Sequence, residues 1–541
     1  KHTTVKNSLL NLRIMKYTVL VGIVLIGTGF ISCKSNADQE RPNILFVIAD
    51  DQSFEHTSYA GSKWVQTPAF DRIAKEGLYF SHAYTPNAKC APSRAIILTG
   101  RNSWQLEAAA NHWPYFPEKF RTFPEVLQSA GYFIGRTGKG WAPGIATKGG
   151  KPRELVGPNF SSHQLKPPTK AISTNNYFQN FLSFLEAKEA KKPFFFWFGA
   201  HEPHRNYSYG SGAAFGAKKI AMIQEIPPFF PESESVKNDM LDYAFEIEHF
   251  DQQLEKIVDH LDSIDVLDNT IIIVTSDNGM PFPRVKGQVY PYDHHLPLAI
   301  RWGKGITNPG RVVDELVSFA DFAPTILSLA GVDIKQSKMQ PMEGKNWKDF
   351  FDDNFDQEKS VHRSFVLIGK ERHDIGREND GGYPVRGIVT KELAYTINYE
   401  PNRWPAGNPE TGYLNTDGSP TKSEILKRNR NKDTLYWHWA FGKRPPEELY
   451  DLKADPYCMN NLAEVASFAT VKNELKRLLE QTLVEQQDPR MEDPQTPIFD
   501  AYPYADKNTQ NYYTRWKKGE QIKTGWVNPT DAEQRGSMLE E

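Results

Sequence analysis

Three stretches of the chain are apolar at almost every position: ILFVIA after Asn43, FFFWF after Pro193 and IIIV after Thr270. A strand covered on one face alternates apolar and polar residues, so unbroken runs predict strands buried on both faces of a parallel sheet. Each run empties into polar groups: Asp50-Asp51, His201-Glu202-Pro203-His204-Arg205, and Asp277-Asn278-Gly279. Parallel sheets take ligands at the carboxyl ends of their strands, which makes these three phrases the first candidates for a site. Between the runs the period is helical. Pro68 to Ala74, behind a Thr67 cap, Phe123 to Ala130, Leu241 to Ile264 and Leu316 to Ala330 all predict helices, and Tyr132 to Arg136 predicts a strand ending at Gly138-Lys139-Gly140-Trp141. Beyond about residue 355 the apolar runs shorten, at Phe365–Ile368, Gly387–Val389 and Ala394–Ile397, as antiparallel strands do, and a helix closes near Leu479. The expected class is α/β, a large mostly parallel central sheet flanked by helices, with a smaller C-terminal α+β subdomain carrying an antiparallel sheet. The expected divisions are 1–36 as a leader and linker, 37–355 as the catalytic domain, 356–490 as the smaller subdomain and 491–541, with Trp516 and Trp526, as a tail over the surface.

Composition narrows the partners. Of 541 residues 39% are hydrophobic and 12% aromatic, and the net charge is −3, a globular balance without the basic face that nucleic acid requires. Cysteines at 33, 90 and 458 form neither a disulfide framework nor a Cys-x-x-Cys site, so a metal here needs hard oxygen ligands. Tyr17 to Ile31 is an apolar run behind Met15-Lys16, the layout of a bacterial export signal starting at Met15 and too short to span a bilayer. Phe30-Ile31-Ser32-Cys33 before a polar linker has the form of a lipobox. Lipidation at Cys33 predicts an exported protein of the periplasm or outer membrane, touching membrane only through that anchor; ordinary cleavage nearby predicts a soluble periplasmic one.

The densest chemistry lies in Cys90-Ala91-Pro92-Ser93-Arg94, followed by Leu98-Thr99-Gly100-Arg101. Proline in a first turn opens a helix, which sets the Cys90 side chain at a helix N-terminus where N–H groups favour an oxyanion, and Arg94 adds a fixed charge one turn on. A buried structural cysteine is the ordinary reading of such a residue. The pentapeptide pattern, however, arises by chance in roughly one chain of this length in a thousand at average residue usage. Asp50, Asp51, Asp277 and Asn278 add four hard oxygen side chains on one sheet edge, a set suited to Ca²⁺.

The block NILFVIADD…TPAFDRIAKEGLYFSHAYTPNAKCAPSRAIILTGR resembles the N-terminal pattern of the type I, formylglycine-dependent sulfatases nearly end to end. FGAHEPHR with SDNGMPFPRVKGQVY is similar to the sulfamidase-like branch, which includes the heparan N-sulfatase, and EELYDLKADP matches a phrase near the family's C-terminus. The resemblance implies an alkaline-phosphatase-like sandwich. It also implies that a formylglycine-generating maturation enzyme oxidises Cys90 to the nucleophile, and that Ca²⁺ is held by Asp50, Asp51, Asp277 and Asn278. Arg94, Lys139 and Lys286 then bind sulfate, and His201 is the acid. One position departs: the family carries Gly-Lys-x-His where this chain has Gly138-Lys139-Gly140-Trp141. Either another histidine, His112 or His82, reaches the formylglycine instead, which is the expectation, or calcium alone makes the second hydroxyl acidic enough to collapse, and Trp141 is expected to stack on a sugar at the pocket rim.

The function these features imply is an exported sulfatase acting on oligosaccharides from sulfated polysaccharide, algal such as ulvan, or glycosaminoglycan. His204, Arg205, Arg284, Arg372, His373 and Arg377 are the expected substrate contacts, the last three from a cationic phrase, GKERHDIGREND, that suits extra anionic groups such as uronates. Two alternatives stand beside it: a phosphoesterase or phosphonatase of the same superfamily, and a lipoprotein that binds sulfated glycans without turning them over.

Overall fold

The computed structural model describes residues 41–352 and 362–533. The export signal, lipobox and Cys33 lie outside the described residues. The large sheet has seven strands: β1 (Asn43–Ala49), β2 (Leu78–Tyr84), β3 (Phe133–Gly138), β4 (Phe194–Gly199), β5 (Thr270–Ser276), β6 (Leu298–Arg301) and β7 (Arg311–Ser318). Their spatial order is β7-β2-β6-β5-β1-β4-β3, parallel throughout except for β6, which runs against both its neighbours. β1, at the centre, shows why its run is continuous. Ile44, Phe46 and Ile48 enter one apolar cluster, with the helices Cys90–Thr99, Phe123–Ser129 and Phe322–Leu329. Leu45, Val47 and Ala49 enter another, with the helices Pro68–Lys75, Tyr177–Ala187 and Glu234–Ser263. Each such side chain removed from water contributes about 1.5–3 kcal/mol, so both layers are held through the same strand.

Four antiparallel strands, β8 (Val366–Lys370), β9 (Val385–Val389), β10 (Leu393–Asn398) and β11 (Glu447–Asp451), make the smaller sheet. Leu475, Leu479 and Leu483 of the helix Ala469–Glu485 pack on Leu367, Ile388, Tyr395 and Leu449 of its face. Residues 491–533 fold back over both parts: Phe499 joins the small-sheet cluster, Tyr504 and Tyr512 pack with Ile375 and Leu414, and buried Asp531 lies 3.1 Å from Lys422 Nζ.

Three local expectations change. Leu316–Ala330 is not one helix: Arg311–Ser318 pairs with β2 as a strand, and the helix begins at Phe322 after a single tight turn. The long helix starts at Glu234, seven residues before its apolar stripe, because the Ser233 side chain accepts from Val236 N and caps a polar first turn. Thr67 makes no side-chain cap; its hydroxyl is taken up by Ser58 and Asp71, and the Asp251 carboxylate accepts from the Ala69 and Phe70 N–H groups instead.

Candidate active site

The carboxyl ends of β1, β5 and β4 and the start of the helix Cys90–Thr99 converge on one buried cluster. At the end of β1 the chain turns sharply, with Asp51 at φ 78°, a left-handed conformation that aspartate tolerates better than most residues. The turn lets both acids face inward. Cys90 Sγ lies 3.4 Å from Asp50 Oδ1 and 4.0 Å from Asp51 Oδ1. Donor atoms of Asp50, Asp51, Cys90 and Asp277 all lie within 4.8 Å of one another. Asn278 donates to Asp51 Oδ1 at 2.7 Å, while its own Oδ1 is buried without a partner. Three carboxylates and an unpaired amide oxygen packed together are a donor set for a hard cation, so the residues present fit Ca²⁺.

Side chains of the protein supply positive charge around this cluster. Lys139 Nζ is 2.6 Å from Asp50 Oδ2, and Lys286 Nζ is 2.6 Å from Asp51 Oδ2 and 3.0 Å from Asp417 Oδ2. Arg94, fully buried, donates through Nε to Asp277 Oδ2 at 2.8 Å and through one terminal nitrogen to the carbonyls of Lys139 and Gly140 at 3.0 and 2.8 Å. Burial opposes ionisation of Asp50, but Lys139, His204, Arg94 and Lys286 together hold its carboxyl well below the ordinary range. At Asp277, burial and the charge of Asp50 outweigh Arg94 and push the carboxyl up to about 6. Burial, with the nearby acids Asp50, Asp277 and Asp51, raises the Cys90 thiol far above its ordinary value.

Above the cluster opens a cavity of about 600 Å³ whose lining includes Asp50, Cys90, Lys139, His201, His204, Arg205 and Lys286. His201 is exposed at this opening, and its proton affinity is lowered by the surrounding walls although Glu202 and Asp50 oppose that effect. His204 turns Nδ1 to the Arg205 carbonyl and sets Nε2 3.9 Å from Asp51 Oδ2.

Of the other expected contacts, only Arg205 reaches this cavity. Arg205 is in its wall, but its guanidinium is spent bidentately on Asp239 at 2.7 and 2.8 Å. Arg284 points away, to the carbonyls of Trp439 and Cys458. The cationic phrase is interior: Arg372 donates to Tyr502 O, Arg377 to Trp404 O and Pro405 O, and His373 Nε2 meets Asn87 Oδ1 at 2.8 Å. Arg372 and Arg377 thus give their donors to main-chain oxygens inside the protein and not to the cavity. Trp141 donates to Ala91 O at 3.0 Å and packs edge-on to Phe116, beneath the helix Cys90–Thr99. Its place at the rim is taken by Trp113 and Trp526. His82 sits beside Asp314 and Ser81, outside the cavity lining, whereas His112 is part of that lining. Lys89, Asp374 and Asp417 also line the cavity and had no signal in the chain's local pattern. The one available hint was the position of Lys89 immediately before Cys90.

The fold and the cluster define a sulfatase. The profile of the Sulfatase family matches residues 42–332, more than half of the chain, and the chain belongs to that family, the sulfuric ester hydrolases. An ulvan-active sulfatase of Formosa agariphila is 27% identical over 82% of this chain and 75% of its own. N-sulphoglucosamine sulphohydrolase of Homo sapiens is 26% identical over 83% and 91%. Among solved structures, a protein in complex with its substrate D-glucosamine-2-N,6-O-disulfate shares the fold with a TM-score of 0.58 and 22% identity, over 84% of this chain and 99% of the other.

Proposed function

We propose that the protein is an exported carbohydrate sulfatase that matures Cys90 to formylglycine, binds Ca²⁺ through Asp50, Asp51, Asp277 and Asn278, and removes sulfate from sulfated glycans. The observation that carries this reading is Cys90 Sγ at 3.4 Å from Asp50 within a cluster whose Asn278 oxygen lacks a partner. Relatives named for ulvan, N-sulfoglucosamine and N-acetylglucosamine 6-sulfate support a glycan substrate. Formylglycine, once formed, supplies a hydrated aldehyde hydroxyl as nucleophile, and Ca²⁺ supplies charge that polarises a sulfate oxygen. The chain's own residues do the remaining work. Arg94, Lys139 and Lys286 neutralise sulfate oxygens, the Asp50 carboxylate stays ionised beside position 90, and His201, at the cavity mouth, donates a proton to the departing sugar oxygen or nitrogen. A formylglycine-generating enzyme is the required maturation partner, and Cys33 is the proposed lipid anchor.

Co-expression with a formylglycine-generating enzyme, followed by mass spectrometry of the peptide containing residue 90 and measurement of sulfate release, tests the proposal. The expected result is aldehyde at residue 90 tracking sulfate release, both absent in Cys90→Ala while its circular dichroism is unchanged. Full activity with unmodified cysteine would overturn it.

A further inference from the structure

The cavity wall away from the carboxylates is made of groups that the proposed chemistry leaves unused. His112, 7% exposed, follows the turn Glu107–Ala110, and its backbone N–H donates to Arg372 O at 2.9 Å. Its Nδ1 is 2.9 Å from Asp374 Oδ1, and the other oxygen of that carboxylate is 2.8 Å from Lys89 Nζ. A ring nitrogen facing a carboxylate carries the proton, so Nδ1–H donates and Nε2 keeps a free lone pair. That Nε2 is buried with no partner in the protein, and the residue lines the cavity. A buried acceptor without a donor is costly, and because His112 borders the cavity a ligand seated there is placed to supply one. Burial, outweighing Asp374, lowers His112 to about 4. It therefore stays neutral in ordinary buffers and accepts hydrogen bonds without holding a proton.

The rest of the wall carries no spare positive charge. Lys89 is committed to Asp374 and Arg205 to Asp239, while Lys286, between Asp51 and Asp417, belongs to the side assigned to sulfate. Asp374 and Asp417 themselves face the cavity and would repel a second anion, while Trp113 and Trp526 offer flat apolar faces of the kind sugar rings stack on. We propose that the wall of His112, Asp374 and Lys89 binds an uncharged hydroxyl of the sugar ring that bears the sulfate, with His112 Nε2 as acceptor, so that the substrate is a sulfated sugar with neutral neighbouring substituents. This rests on the sulfatase reading and deepens it, and it reverses the expectation of additional uronates at this site.

The test uses the full-length matured enzyme and methyl glycosides of sulfated hexosamines and 6-deoxyhexoses. The best-cleaved glycoside is compared with analogues deoxygenated at each ring position in turn. One deoxy analogue should lose roughly ten- to a hundredfold in kcat/KM with the wild-type enzyme. His112→Ala should lose a similar factor on the parent glycoside and no further factor on that analogue, and His112→Gln, whose amide oxygen can accept the same bond, should recover part of it. Additive losses in the variant and every deoxy analogue, or a preference for a glycoside carrying a uronate next to the sulfated ring, would overturn the inference. The deoxy series in the wild-type enzyme needs no variant to fold. Failure of the sulfatase reading itself would look different, with no sulfate released from any glycoside by protein whose residue 90 is verified as aldehyde.

Discussion

Arg94 offers the sharpest energetic test, because its charge and its geometry can be separated by substitution. The guanidinium is fully buried and makes three directed contacts, to Asp277 Oδ2 at 2.8 Å, Lys139 O at 3.0 Å and Gly140 O at 2.8 Å. Arg94→Lys keeps a positive charge near Asp277 but cannot span all three acceptors, since an ammonium is a point donor on a flexible stem. Gly140 O then loses its donor at about 1–3 kcal/mol, while Lys139 O keeps the Trp197 Nε1–H at 3.0 Å. Arg94→Ala also leaves Asp277 without its countercharge in the absence of metal, and breaking a buried ion pair of that kind costs about 3–5 kcal/mol on its own. Guanidinium unfolding of the metal-free protein, followed by the fluorescence of its 12 tryptophans, should rank wild type above Arg94→Lys above Arg94→Ala. The lysine variant should also lose turnover under conditions where it remains folded, because the lost carbonyl contacts are those that fix the turn from which Lys139 reaches Asp50. An Arg94→Lys midpoint equal to wild type, or an alanine variant more stable than the lysine variant, would refute the reasoning.

Asp277→Asn keeps the shape of a ligand and removes one negative charge, so calcium per chain after dialysis, read by elemental analysis, should fall together with turnover; unchanged calcium content argues against the proposed site. Glu246 has a buried oxygen without a partner, and burial, aided by Glu202 and Asp242, raises its proton affinity well above the ordinary value. The folded state then holds a proton that the unfolded chain releases near pH about 4.3, so this group makes stability fall as pH rises above that value. Glu246→Gln removes the effect, and its advantage in unfolding midpoint over wild type should be larger at pH 8 than at pH 5; a constant difference contradicts the assignment. Arg372, 1% exposed and donating to Tyr502 O at 2.8 Å, ties the small sheet to the C-terminal segment. Arg372→Ala should therefore lower the unfolding midpoint and reduce kcat/KM by the same factor on a sulfated oligosaccharide and on an aryl sulfate, and a loss confined to the oligosaccharide would return the residue to substrate contact.

What the sequence exposes here is set by how local each interaction is. β1, β4 and β5 are legible because burial on both faces forbids polar alternation, and the polar phrases after them are legible because a strand end fixes where the next residues point. Cys90 and Arg94 are one helical turn apart, so their shared direction follows from the helix alone. The phrase GKERHDIGREND misleads for the opposite reason: its charge density fits a solvated loop, yet the partners that bury Arg372 and Arg377 are carbonyls at 502 and 404–405, which nothing in the phrase announces. The same distance hides the groups that complete the cavity. Lys89 and Lys286 come from the part of the chain that holds Cys90, and a lysine buried beside other cations would ordinarily shed its proton. Lys89 is kept charged by Asp374, and Lys286 by Asp417 together with Asp51, and both lysines have proton affinities above their ordinary values because of these carboxylates. The smaller subdomain is thus part of the electrostatics of the site as well as its cover, since Asp374 and Asp417 come from it.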